Sequence, residues 1–86
     1  MKEHERVLKA LANRRRLLIV SFLKRRNEAT VGVIAEYLNL SFKSTSKHLG
    51  ILAKSDILEK CQQGLEVFYF LHPKLAKLSS LVLSCL

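Results

Sequence analysis

The tightest constraint on this chain is a gap of three residues. Thr30 can cap a short helix whose inner side is Val31, Ile34, Ala35 and Leu38, and Ser41 can cap the helix that follows. Only Asn39, Leu40 and Ser41 lie between them. In the second segment, residues 42–54, Thr45, Leu49 and Leu52 fall at i, i+4 and i+7 with Ile51 adjoining, the spacing of a helix with one buried side. The opposite side carries Phe42, Lys43, Ser46, Lys47, Gly50 and Lys54, and no acid occurs between Ser41 and Ser55. Two helices joined by so short a turn form a helix-turn-helix, in which the second helix is the one placed to read a groove.

The flanking segments extend this motif. Val7, Leu8 and Leu11 follow helical spacing and predict a first helix over about residues 3–12. Asn13 suits the cap of a second, with Leu17, Ile19, Val20, Phe22 and Leu23 on a broad apolar face and Arg25, Arg26 and Asn27 at its end. Beyond Asp56 the pattern changes. Residues 57–62 and 66–71 are strand-like around Gln63-Gly64, a β-hairpin in the position of a wing. Pro73 then opens a last helix, in which Leu75, Leu78, Val82 and Cys85 repeat at three, four, three spacing, a seam suited to another helix. The expected fold is mainly α with a small β-hairpin: helix, helix, helix-turn-helix, hairpin, helix, which is a winged helix-turn-helix.

Size and charge narrow the function. With 86 residues the chain is expected to be one domain, 1–86, and a core that small is marginally stable. A hydrophobic content of 49% is generous for it, so part of the apolar surface should close against a second copy. The net charge of +8 favours polyanions. Residues 1–29 hold nine basic and three acidic side chains, whereas residues 30–86 hold six and four, so charge alone does not locate the recognition element. Two cysteines supply neither a disulfide framework nor paired zinc ligands. The opening MKEHERVLKA lacks the apolar centre of a signal peptide, and no apolar run could span a bilayer, so a cytoplasmic protein with no membrane partner is expected. Without a carboxylate pair, a Gly-rich phosphate loop or a plausible Cys/His arrangement, an enzyme is not expected.

Four pieces in the right order resemble the ArsR-type winged helix-turn-helix regulators. Leu11-Ala12-Asn13 with Arg16, Leu17 and Ile19 is similar to that family's opening segment, and residues 34–41, IAEYLNLS, to its first reading helix and turn. Ser46, Lys47, His48, Leu49 and Leu52 resemble the core of its recognition helix; Gly64, Val67, Phe68, Tyr69 and Leu71 resemble its wing. The likeness covers about residues 7–72. It implies a homodimer built on the first and last helices, here Val7, Leu8, Leu11, Leu75, Leu78, Val82 and Cys85, with two recognition helices in successive major grooves. Many members of the family release DNA when a metal or another inducer binds. The positions of one family metal box are Thr30 and Gly32 here, which offer no thiolate, and no Asp, Glu or His follows Pro73 to build the other. No metal and no cofactor is therefore expected, and the inducer is unknown.

The candidate DNA contacts follow. Lys43, Ser44, Ser46 and Lys47 suit phosphates or base edges, against the alternative of a merely solvated face. Phe42 could meet a thymine methyl or staple the helix to its turn. His48 is expected to be half-buried and bonded within the domain, with a phosphate contact as the second reading. Basic residues complement the dipole at a helix end, which accounts for Lys24, Arg25 and Arg26, but at a helix start they oppose it. Arg14 and Arg15 are thus candidates for the DNA backbone, and Arg16 is expected to be structural. The Thr30 cap and the wing residues Gln62 and Gln63 should touch flanking phosphates. Cys61 is expected to pack, as is Cys85, for which a disulfide across a two-fold axis is the alternative. The expected function is a homodimeric, sequence-specific repressor; a winged-helix module that binds protein rather than DNA is the rival.

Overall fold

Side-chain caps decide where the helices begin. In the computed structural model, which describes residues 2–73, Asn13 Oδ1 accepts from the Arg16 amide at 3.2 Å, Thr30 Oγ1 from the Val33 amide at 3.3 Å, and Ser41 Oγ from the Ser44 amide at 3.0 Å. These open α2 (Arg14–Arg26), α3 (Val31–Leu38) and α4 (Phe42–Lys54), behind an initial α1 (Lys2–Leu11). Residues in the left-handed region close α3 and α4. Asn39, at φ 55°, lets the amides of Asn39 and Leu40 reach the carbonyls of Glu36 and Ala35 at 3.2 and 3.0 Å. Asp56, at φ 58°, repeats the arrangement, with Asp56 N on Ala53 O and Ile57 N on Leu52 O. Both are Schellman closures built without glycine, at the two residue types that visit this region most readily.

The sheet contains a strand that the sequence reading did not anticipate. Between α2 and α3, β1 (Ala29–Thr30) pairs antiparallel with β3 (Glu66–Leu71), which also pairs with β2 (Leu58–Gln63); the order is β1-β3-β2. Partners are Ala29 with Tyr69 and Thr30 with Phe68 on one edge, and Leu58 with Leu71 through Gln63 with Glu66 on the other. A two-residue strand has no periodicity of its own, and only its partner reveals it. The hairpin starts one residue later than expected because the Ile57 amide still closes α4 by donating to Leu52 O, while its carbonyl accepts from the His72 amide at 2.8 Å.

Ile19, Val20, Leu23, Ile34, Leu49, Leu52, Ile57 and Leu58 make the core where α2, α3, α4 and the base of the hairpin meet. Thr45 is fully buried with them, as its spacing predicted. Val7 and Leu11 of α1 also belong to this core, at 3% and 4% exposure. That corrects their assignment to a dimer contact: their apolar surface is already covered within one chain. Leu8, one position further round, is 57% exposed and remains available. Leu75, Leu78, Val82 and Cys85, expected at the same contact, lie outside the described residues. Cys61, expected to pack, is exposed on β2, where the strand stands clear of the core.

Candidate nucleic-acid interface

The polar side of α4 is the part of the surface that the fold presents most deliberately. Thr45, Leu49 and Leu52 fasten the helix from within, and Phe42, Lys43, Ser44, Lys47 and Lys54 are exposed on its outside. Ser46 is half-buried between the two sides. Phe42 is 64% exposed, so the stapling role is not the one it plays in the free chain. No acidic residue occurs in the helix, and its capped N-terminus adds the partial positive charge of unpaired amides to that of the lysines.

Around this helix the other candidates divide. Arg14 and Arg15 are exposed in the first turn of α2, where with Asn13, Leu18 and Leu38 they line a shallow depression of about 380 Å³. The hydroxyl of Thr30 is engaged as a cap, and its residue is half-buried. Gln62 and Gln63 are exposed on the wing, but the Gln62 side-chain amide donates to Gly64 O at 3.3 Å and so braces the turn. Gly64, at φ 65°, is the first of the two turn residues; a glycine there is what a two-residue hairpin of this kind requires.

The second basic run is spent on aromatics. Phe22 and Tyr37 stack at 4.3 Å; the Arg25 guanidinium donates to the Tyr37 hydroxyl at 3.1 Å, and Arg26 sits 5.3 Å over the Phe22 ring. The helix dipole alone does not account for these arginines: α3 supplies the partner of Arg25 from twelve residues away, and α2 itself supplies that of Arg26 one turn back. His72 meets Glu59 across the strand ends, Nε2 to Oε1 3.5 Å.

His48 departs from expectation in one respect. It is half-buried, but its Nδ1 is buried with no hydrogen-bond partner among the described residues, and the same holds for Nε of Arg16. Burial, and then the positive charges of Arg16, Arg15 and Lys47, hold the His48 pKa below its ordinary value of 6.5. Two of those charges come from α2, which packs against α4. This juxtaposition is invisible in sequence, because 32 positions separate Arg16 from His48.

A short capped helix-turn-helix followed by a hairpin, with a basic face on the second helix, is also what comparison with known proteins returns. The family model for bacterial regulatory proteins of the arsR family matches residues 13–60, the segment from the α2 cap into the first wing strand. The chain belongs to this ArsR family. It is 35% identical over 66 residues to the transcriptional repressor SdpR of Bacillus subtilis, spanning 77% of this chain and 72% of SdpR. It is 38% identical over 65 residues to the transcriptional activator HlyU of Vibrio cholerae, spanning 76% of this chain and 59% of HlyU. Among solved structures, the homodimeric winged helix-turn-helix DNA-binding domain of Mb0332 from Mycobacterium bovis superposes with a TM-score of 0.89 at 30% identity, over 98% of this chain and 78% of that one. These matches bear out the winged helix-turn-helix fold. Among the described residues no three His, Cys, Asp or Glu side chains gather where a metal could be held, and no helix is long and apolar enough to cross a membrane.

Proposed function

We propose that this ArsR-family chain is a sequence-specific transcriptional regulator that binds duplex DNA in the cytoplasm as a homodimer, with α4 of each protomer in the major groove. The observation that carries the reading is the acid-free face of α4, held outward by three fully buried residues on its other side. Lys43, Ser44, Ser46 and Lys47 are its readers; Arg14, Arg15, Gln62, Gln63 and the Thr30 turn flank them on the backbone. Exposed Phe42 stands at the N-terminal end of the reading helix, where a thymine methyl would meet it.

Leu8 supports the dimer. It lies with His4, Glu5, Lys9 and Ala12 along an open strip of α1, on the side away from Val7 and Leu11. Two protomers bound at one promoter exclude polymerase from it, which makes repression the expected outcome; SdpR is a repressor by name, HlyU an activator.

Fluorescence anisotropy with random-sequence duplex at low salt is the deciding measurement. If each protomer neutralises three to five phosphates, log affinity falls against log salt with a slope of roughly −5 to −9 for the dimer. Absence of binding even at low salt would overturn the reading in favour of a protein-docking module.

A further inference from the structure

The end of α2 and the outer side of α3 meet in a patch that lies outside the recognition face. Phe22, Arg25 and Arg26 fall at i, i+3 and i+4 of α2, and Val33, Glu36 and Tyr37 at the same spacing of α3, so each set forms one stripe. The two stripes are tied together. The Phe22 and Tyr37 rings stack at 4.3 Å, and Arg26 lies 5.3 Å over Phe22. Arg25 donates to the Tyr37 hydroxyl at 3.1 Å, its guanidinium 5.9 Å from the ring centre. Phe22 is buried beneath, whereas Tyr37 and Val33 are 41% and 37% exposed. With Arg26 and Glu36 they line a shallow depression of about 430 Å³.

We propose that this patch docks a short acidic segment of another protein that also carries an apolar side chain. Two features point to that chemistry. Tyrosine and arginine are among the side chains that most often anchor protein interfaces. Here a tyrosine and two arginines already hold one another or a ring in the free chain, so ordering them adds little to the cost of association. The second feature is charge. Arg25 and Arg26 are exposed, and neither pairs with a carboxylate among the described residues. A guanidinium has several N–H donors; the Tyr37 bond uses one from Arg25, and Arg26 lies over a ring. Both keep donors in the geometry that carboxylates match.

Shape and charge select the occupant. A small molecule needs most of its surface enclosed, which so open a depression does not offer, whereas an extended peptide needs only a ledge. Glu36 on the same stripe repels a phosphate backbone, but its carboxylate accepts hydrogen bonds from peptide amides. The partner's apolar side chain lies on Tyr37 and Val33, and its carboxylates meet Arg25 and Arg26. None of the six residues belongs to α4 or to the wing, so a chain whose recognition helix holds DNA can hold this partner as well. Docking of this kind stands independently of DNA binding.

The test is an NMR titration of the full chain, followed at each backbone amide, with short synthetic peptides. One combines Asp with Leu and Phe, a second has Lys in place of Asp, and a third has Ser in place of Leu and Phe. The expected result is that only the first shifts the amides around Tyr37 and Val33, and that it still does so once random-sequence duplex is added. Tyr37→Ala should weaken its binding by about tenfold, and Arg26→Gln by a few-fold, a loss that shrinks in added salt. Shifts centred on α4 instead, equal binding of any two peptides, or silence from all three overturns the docking site. Displacement of the peptide from Tyr37 by duplex overturns it too and gives the patch to the DNA backbone. Arg26 is exposed and outside the core, so its variant decides the question even if Tyr37→Ala fails to fold.

Discussion

The recognition helix and the wing are built on opposite terms. Helix α4 is held by side chains: Thr45, Leu49 and Leu52 are fully buried, and each outward residue is fixed by what lies beneath it. The hairpin is held by its backbone ladder, and along β2 only the first residue, Leu58, is buried. Their chemistry differs as sharply. The face of α4 has lysines and no acid, whereas the wing carries Glu59 and Glu66, and its tip is a fully exposed Leu65. A helix that must fit a core delivers rigid readers. The outer part of β2 lies clear of the core and is less constrained, and its single exposed Lys60 stands beside Glu59.

The largest effect should come from the core under the reading face. Leu49→Ala is expected to cost about 2–5 kcal/mol of folding stability, since it deletes a fully buried side chain between α4 and its neighbours. Cys61→Ala on the wing, an exposed position, should change stability by no more than about 0.5 kcal/mol. Chemical denaturation of both variants checks this. Equal losses would mean that the wing, too, is anchored by side chains.

Next come the readers themselves. Lys47→Ala should lose about 1–3 kcal/mol of operator affinity if the contact is bidentate to a base, with sequence preference lost alongside. Gln63→Ala on the wing should lose less, and evenly across sequences. Titrations against a selected operator and a scrambled duplex separate the two. A larger loss at Gln63 than at Lys47 would invert the comparison and make the wing the specific element. Smaller again is the cap: Ser41→Ala removes the acceptor for the Ser44 amide and should destabilise the fold by about 1 kcal/mol, read by thermal unfolding.

What the sequence made legible was whatever is local. The caps Asn13, Thr30 and Ser41 and the spacing of Thr45, Leu49 and Leu52 each follow from neighbours a few positions apart, and the structure has them all in place. The left-handed Asp56 closes α4 and is also paired with Arg6 of α1 at 3.2 Å. What was hidden depends on packing between distant segments. Val7 and Leu11 have the spacing of any amphipathic helix, and nothing in it says whether the buried side meets this chain or another copy. Strand β1 exists only because β3 lies beside it. Nε of Arg16 and Nδ1 of His48 are buried without a partner among the described residues, which no local reading of α2 or α4 contains.

The smallest effect separates the two regions by proton rather than by mutation. Burial and the charges of Arg16, Arg15 and Lys47 depress the pKa of His48 in the folded chain below 6.5, its unfolded value, so the native state prefers neutral imidazole. Stability from this source is therefore full above pH 6.5. It falls as acid is added, until the folded pKa is passed, and is level below that. Denaturant midpoints taken from pH 7.5 downwards should show this loss in wild type and less of it in His48→Gln, whose amide does not titrate. An equal loss in both proteins would place the titrating group elsewhere and remove this electrostatic difference between α4 and the wing.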